Sequence, residues 1–377
     1  MKESYIKLPV LTGDVSGAAS ALYELGGMFV IHDPSGCNST YNTHDEVRWY
    51  DMESLIFISG LTDVEAINGD DSRLIKDTVE AASYYKPNFI ALANSPIPYL
   101  NGTDFSAVCR AVEKKAGIPT FYVETNAMHD YIRGAGLAFY RFCEKLMTSK
   151  RPENVSPSDN IRVAVLGATP LDLTSKDSAE SIKNILREGG FEVVSCLALD
   201  ETFEVALSAV NADVSLVVSS AGLRAAKLLN ERYDIPYVAG LPVGKLKESL
   251  FEALREKSCA KNVYLDFENM SDNKKTLTVI GEPVVMGSLG AAYAAENDCR
   301  FRIVAATEDG RELINESDVS ALNEEAVISA LSDASLIMGD PMYRSVSPSG
   351  AKFIEVPHFA LSGRLYLDRI KDIMRLI

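Results

Sequence analysis

The sequence predicts an α/β protein built from a succession of parallel-sheet domains. Three observations lead there. Short β-rich runs alternate with helical stretches almost from end to end, which is the pattern of strands joined by crossover helices. The 377 residues suffice for two or three domains. A hydrophobic content of 47% with 24% charged residues is that of globular domains with sizeable cores.

In the first part, strands are expected at Met28–His32, Leu55–Ser59, Asn88–Ala93 and Thr120–Val123. Phe105, Val108 and Val112 recur at helical spacing behind Asp104, a suitable N-cap, and Gly117 stops that helix. The polar stretch Thr148–Asn160 holds two prolines and no apolar run, so a boundary falls there. A second unit restarts with Ile161–Leu166, a capping box over Asp177–Glu180, and strands at Phe191–Leu197, Asp213–Ser219 and Pro236–Ala239 around a helix at Leu223–Arg232. A third begins with Leu277–Gly281; Pro283 opens an Ala-rich helix, strands follow at Phe301–Ala305, Ala334–Met338 and Lys352–Val356, and a helix is expected from about Gly363 to the end. The reading is three tandem Rossmann-like domains: residues 1–150, 161–265, and 270–377 with the closing helix.

Charge and composition narrow the function. The formal net charge is −16, from 53 acidic against 37 basic residues, and no Lys/Arg cluster reverses it locally; nucleic acid and anionic membranes are therefore not expected partners. No apolar run is long enough to span a bilayer and no signal-peptide pattern opens the chain, so the cytoplasm is the expected location. The nearest approach to a phosphate-binding loop, Gly240–Leu246, has the wrong spacing, so ATP hydrolysis is not expected of this chain. Neither a dinucleotide fingerprint nor a serine-nucleophile elbow is present. The six cysteines, at 37, 109, 143, 196, 259 and 299, are scattered, without any C-x-x-C.

What remains is the turn Ile31–Asn38, directly after a strand, where parallel sheets bind ligands. Pro34 and Gly36 bend it and present Cys37 at a helix start, where a thiol's pKa is lowered and a thiolate can ligate iron. The alternative is a buried free cysteine that packs as a small hydrophobe. A second strand-end loop, Asn94–Asp104, reads from composition as a Pro/Gly turn capped by Asp104.

The stretch from Gly26 to about Phe142 resembles the first domain of nitrogenase component 1 subunits and their relatives in protochlorophyllide, chlorophyllide and coenzyme F430 reductases. His32, Pro34, Gly36 and Cys37 match an H-x-P-x-G-C turn; Ala66–Asp71 with Leu74 loosely match a Gly-rich loop; Tyr85–Ile90 match Y-K-P-x-x-I. Gly117-Ile118-Pro119 and Pro357–Arg364 fit more diffusely. The resemblance implies a nitrogenase component 1 subunit-like fold and an oxygen-avoiding redox subunit. Cys37 would be the metal ligand, contributing to an interfacial iron–sulfur cluster of 4Fe-4S type shared with a homologous sister subunit or a second copy. Electrons would come from an iron-protein-like, ATP-dependent reductase, and a small molecule or tetrapyrrole rather than dinitrogen would be reduced. Of the family's three cluster cysteines only the Gly-Cys position is kept; the Cys-Pro position is Ser95. The cofactor cysteine would fall near Val218–Ser220, and His358 lies near the family's cofactor histidine. Ser95, Ser219 and His358 are thus the candidate cofactor-cleft residues, with Gly167 beside them. The alternative is a cluster-less binding or metallocofactor-assembly protein of the same fold.

Overall fold

A computed structural model describes residues 5–34, 46–148, 160–173, 176–268, 275–369 and 372–376. Cys37 and the rest of residues 35–45 lie outside the described residues. Three parallel sheets follow one another along the chain. The first holds β1 (Met28–His32), β2 (Leu55–Ile58), β3 (Ile90–Asn94) and β4 (Thr120–Val123) in the order β2-β1-β3-β4. The second holds β5 (Ile161–Leu166), β6 (Phe191–Cys196), β7 (Val214–Val217), β8 (Tyr237–Ala239) and β9 (Lys261–Asn262) in the order β6-β5-β7-β8-β9. The third holds β10 (Thr276–Gly281), β11 (Arg300–Ala305), β12 (Val319–Ser320), β13 (Leu336–Gly339) and β14 (Lys352–Glu355) in the order β12-β11-β10-β13-β14. In each sheet the first strand of the unit is central and the order reverses beside it, which creates a crevice at the carboxyl ends.

The central strands are mostly apolar because helices cover both faces; β1, β3 and β7 are buried at every residue, His32, Asn94 and Ser215 included. Helix ends follow the sequence signals. Asp104 accepts from Ala107 N at 2.9 Å and Gly117 closes the helix Phe105–Ala116 in the left-handed region. Glu282, with Pro283 behind it, caps the long helix Pro283–Asn297.

Two expectations are corrected. Asn94–Asp104 is not a plain loop: Pro96–Asn101 form a short helix, with Pro96 pre-set at its first position and Gly102 at its end. Among the described residues, no long helix closes the chain either. Phe359–Ser362 make one turn, Gly363 takes φ +53°, and 3₁₀ segments follow at Gly363–Arg369 and Ile373–Arg375. Gly363 breaks the ladder there, and Asp372 caps the second segment by accepting from Met374 N.

One apolar core runs through all three units, from Phe29 and Phe139 through Val165 and Leu216 to Val279 and Ile303. The helix Tyr131–Leu146 lies at its centre, crossing Asp14–Leu22 at close range. A Cβ on Gly134 would collide with the Asp14 carbonyl, and one on Gly17 with that of Tyr131, so only glycine permits this approach. The N-terminal segment straps the third unit: the backbone N–H groups of Ile6, Lys7 and Leu8 donate to one oxygen of Glu324 at 2.9, 2.7 and 2.8 Å. Thr12 N then donates to Ala360 O at 2.8 Å. No helix among the described residues is long and apolar enough to cross a membrane.

Candidate functional site

The carboxyl ends of the second and third sheets and the start of the Tyr131 helix meet at one buried junction. Asp172, in the turn Pro170–Leu173 after β5, is its centre and is fully buried. One carboxylate oxygen accepts from the Tyr131 hydroxyl and lies 3.2 Å from His358 Nε2. The other accepts from Ser219 Oγ at 2.5 Å. Tyr131 belongs to the first unit, Asp172 and Ser219 to the second and His358 to the third, so a single carboxylate ties all three together.

Neighbouring groups fix these side chains. Asp340, after β13, accepts from His358 N at 2.6 Å and from Met342 N at 2.8 Å. Glu282, after β10, accepts from Ser220 N at 2.9 Å and Val285 N at 2.7 Å. Asp130 caps the Tyr131 helix with one oxygen and accepts from Glu308 N at 2.6 Å with the other.

Burial sets the protonation states. It opposes a charge on His358, but the hydrogen bond and field of Asp172 outweigh it and raise the imidazole pKa. Burial and the same carboxylate hold Tyr131 well above its ordinary value, so it remains a donor. Burial first, then Asp172, push Glu282 up to about 7. Asp130 rises to about 7, again mainly through burial.

The candidate cleft residues are thus distributed unequally. Ser219 and His358 are brought together, through Asp172. Gly167 lies beside them, its φ of +88° allowing close approach to the Ser219 carbonyl. Ser95 is elsewhere: it is fully buried just beyond β3, and its hydroxyl has no hydrogen-bond partner among the described residues. Sequence reasoning missed Asp172 and Tyr131. A lone acidic residue inside the apolar run Pro170-Leu171-Asp172-Leu173 was the available signal, because a buried carboxylate needs several donors.

A metallocofactor at this junction does not fit the residues present. The donors near His358 are a serine, a tyrosine and a carboxylate already bonded to one another. Among the described residues no three His, Cys, Asp or Glu side chains are grouped to hold a metal. The thiols of Cys109 and Cys143 are buried, which pushes each up to about 12, far from a ligating thiolate. Open space lies beside the junction instead. A cleft of about 580 Å³ separates the second and third units, lined by Ser220, Arg224, Lys227, Thr307, Asp309 and Arg311. Arg224–Asp309 at 2.7 Å and the Lys227–Glu312 pair bridge it.

Known proteins place this architecture. The solved structure "Nitrogenase Cp1 at pH 6.5" superposes with a TM-score of 0.69 over 99% of this chain and 90% of its own, at 16% identity, which is a likeness of fold. Among curated proteins, the nitrogenase iron-molybdenum cofactor biosynthesis protein NifE of Bradyrhizobium diazoefficiens is 25% identical over 231 residues, 60% of this chain and 41% of that protein. NifE of a Nostoc species is 22% identical over 279 residues, 70% of this chain and 52% of that protein. The chain therefore spans about half the length of the curated relatives it matches. The model of the "Nitrogenase component 1 type Oxidoreductase" family matches residues 14–254, well over half of the chain, reaching from the buried Asp14 through the Asp172–Ser219 junction. This chain belongs to the nitrogenase component 1 type oxidoreductase family.

Proposed function

We propose that this chain is a subunit of a nitrogenase-like complex whose iron–sulfur chemistry lies at the edge of the first unit rather than at the three-unit junction. The observation that carries the reading is the junction itself, closed by Tyr131, Asp172, Ser219 and His358 bonding to one another. The first unit, in contrast, presents an open face at the carboxyl ends of its strands. Val64 and Ile67 on the helix Asp63–Asn68, and Ile97, Tyr99 and Leu100 on Pro96–Asn101, are all exposed there. Such a contiguous apolar surface suits a subunit interface.

Cys37, five residues after the last residue of β1 in the sequence, would supply one ligand of a cluster, 4Fe-4S in type. A homologous sister subunit or a second copy would complete the set. Ser95, buried one residue beyond β3 and without a hydroxyl partner among the described residues, would add an oxygen donor. A bound cluster would relay low-potential electrons from an iron-protein-like, ATP-dependent reductase. The cleft beside Ser220 and Thr307 would take the small molecule that is reduced. Closure of the junction argues against dinitrogen as that substrate.

A second reading is favoured by the names of the curated relatives, both cofactor biosynthesis proteins. In it the same interface holds a metallocofactor under assembly, without turnover. Anaerobic purification with and without candidate partner subunits, followed by iron and acid-labile sulfide analysis of wild type and Cys37→Ala, tests the proposal. Iron and sulfide lost in the variant support it. Their absence from every preparation defeats it.

A further inference from the structure

One edge of the first sheet is β2, Leu55-Ile56-Phe57-Ile58, which among the described residues pairs with β1 alone. Ser59 N donates to Ile31 O and Leu61 N to Asp33 O, so the odd-numbered residues of this stretch bond to β1. With a period of two, the main-chain N–H and C=O groups of Ile56 and Ile58 point away from the sheet. Edges of this kind are ordinarily blunted by lysine, proline or a bulge. β2 has none of these: its four side chains are uncharged, and its register with β1 is unbroken from Leu55 to Ile58.

A groove of about 510 Å³ lies along this edge. The rings of Tyr23, Trp49, Tyr50, Phe57 and Tyr85 wall it, and the exposed Asp51 and Glu53 stand on the turn that leads into β2. The back wall is fixed: the Tyr23 hydroxyl donates to Met52 O at 3.2 Å, and Ser54 Oγ donates to Tyr23 O at 3.0 Å. Two of the rings already carry guanidinium groups. Arg48 lies 4.5 Å from the centre of the Tyr23 ring, and Arg364 lies 5.6 Å from that of Tyr50. These contacts show what the ring faces attract.

We propose that this groove docks an extended, arginine-bearing segment of a partner chain, which adds to the edge of β2. The outward main-chain groups of Ile56 and Ile58 hold its backbone. Its arginines lie over the Trp49 and Tyr85 rings and against Asp51 and Glu53, while apolar side chains between them cover the edge. Lysine fits less well, since the guanidinium group is planar, less hydrated and stacks on rings. A second copy that met this edge with its own would set Asp51 and Glu53 against their own kind. The site needs no cluster on Cys37.

Trp49 is the single tryptophan of the chain and reports on the groove directly. The test titrates full-length protein with a capped hexapeptide of alternating arginine and valine and follows the emission of Trp49. A saturable change is expected. Citrulline in place of arginine keeps the shape without the charge and should weaken binding by about tenfold. Asp51→Asn combined with Glu53→Gln should weaken it roughly fivefold, and Tyr85→Ala about two- to fivefold. All three side chains are exposed, so these variants should fold as wild type does. The same peptide N-methylated throughout should not bind, having lost its main-chain donors. No saturable change with the arginine peptide overturns the proposal. Equal binding of the citrulline peptide, or unchanged binding in the doubly substituted protein, overturns it too, because the groove would then not read charge. Binding of N-acetylarginine amide as tight as that of the peptide, or undiminished binding of the N-methylated peptide, would assign the groove to a small organic cation and overturn the extended segment.

Discussion

Replacing Asp172 by alanine is the sharpest test of the claim that one carboxylate holds the three units together. The change removes the acceptor of the Tyr131 and Ser219 hydroxyls and the counter-charge of His358, in a site without solvent. Breaking a buried ion pair costs about 3–5 kcal/mol, and each orphaned hydroxyl adds about 1 kcal/mol or more. His358 can escape part of this by losing its proton, so about 4 kcal/mol is expected. The units share one core, so they should unfold together. An unfolding entropy of about 2.1 cal/mol/K per residue gives roughly 0.8 kcal/mol/K for 377 residues, and hence a drop of about 5 °C in Tm. Asp172→Asn keeps the shape and one acceptor oxygen and should lose about half as much. Scanning calorimetry at pH 6 decides it. An alanine variant within about 1 °C of wild type would refute the junction as a tie, since the orphaned groups alone should exceed that.

Other outcomes follow from the same geometry. The raised pKa of His358 means its contribution to stability is complete below the unfolded value near 6.5 and is lost as pH rises through the higher folded value. Glu282, raised to about 7, acts in the same direction: stability should fall between its ordinary value and about 7, and Glu282→Gln should flatten that slope in denaturant titrations run across this range. Arg48 is buried against Glu46 and Glu24 and donates to the carbonyls of Ser20 and Ala198, so Arg48→Met strands two carboxylates and should cost about 3–5 kcal/mol in urea unfolding. Gly134→Ala forces a methyl into the Asp14 carbonyl and should cost at least 1–3 kcal/mol, about the penalty of overpacking, measurable as a lower urea midpoint.

The sheets were legible because their central strands are buried on both faces. Apolar runs such as Met28–Ile31 and Val163–Leu166 announce themselves without alternation. The edge strands Lys261–Asn262 and Val319–Ser320 did not, since each has two residues, half-buried or exposed, and no apolar pattern. The final helix misled because Leu365, Ile373 and Leu376 mimic helical spacing, while the left-handed Gly363 and the Asp372 cap set the real path. The site was legible in part. Ser219 and His358 could be placed near each other by resemblance, but the carboxylate between them could not, because Asp172 acquires its partners only when distant strand ends converge.

The N-terminal strap constrains the order of events during synthesis. Ile6, Lys7 and Leu8 find their acceptor 316 to 318 residues later. At roughly 5–20 residues per second a ribosome needs about 15–60 s to supply it. For that time the first unit can build its sheet and pair Thr12 and Gly13 with residues 130 and 131, but Ile6, Lys7 and Leu8 lack their acceptor. The strap therefore forms late, after the third sheet, and the first seven residues or so of the described chain settle only when the last unit is complete.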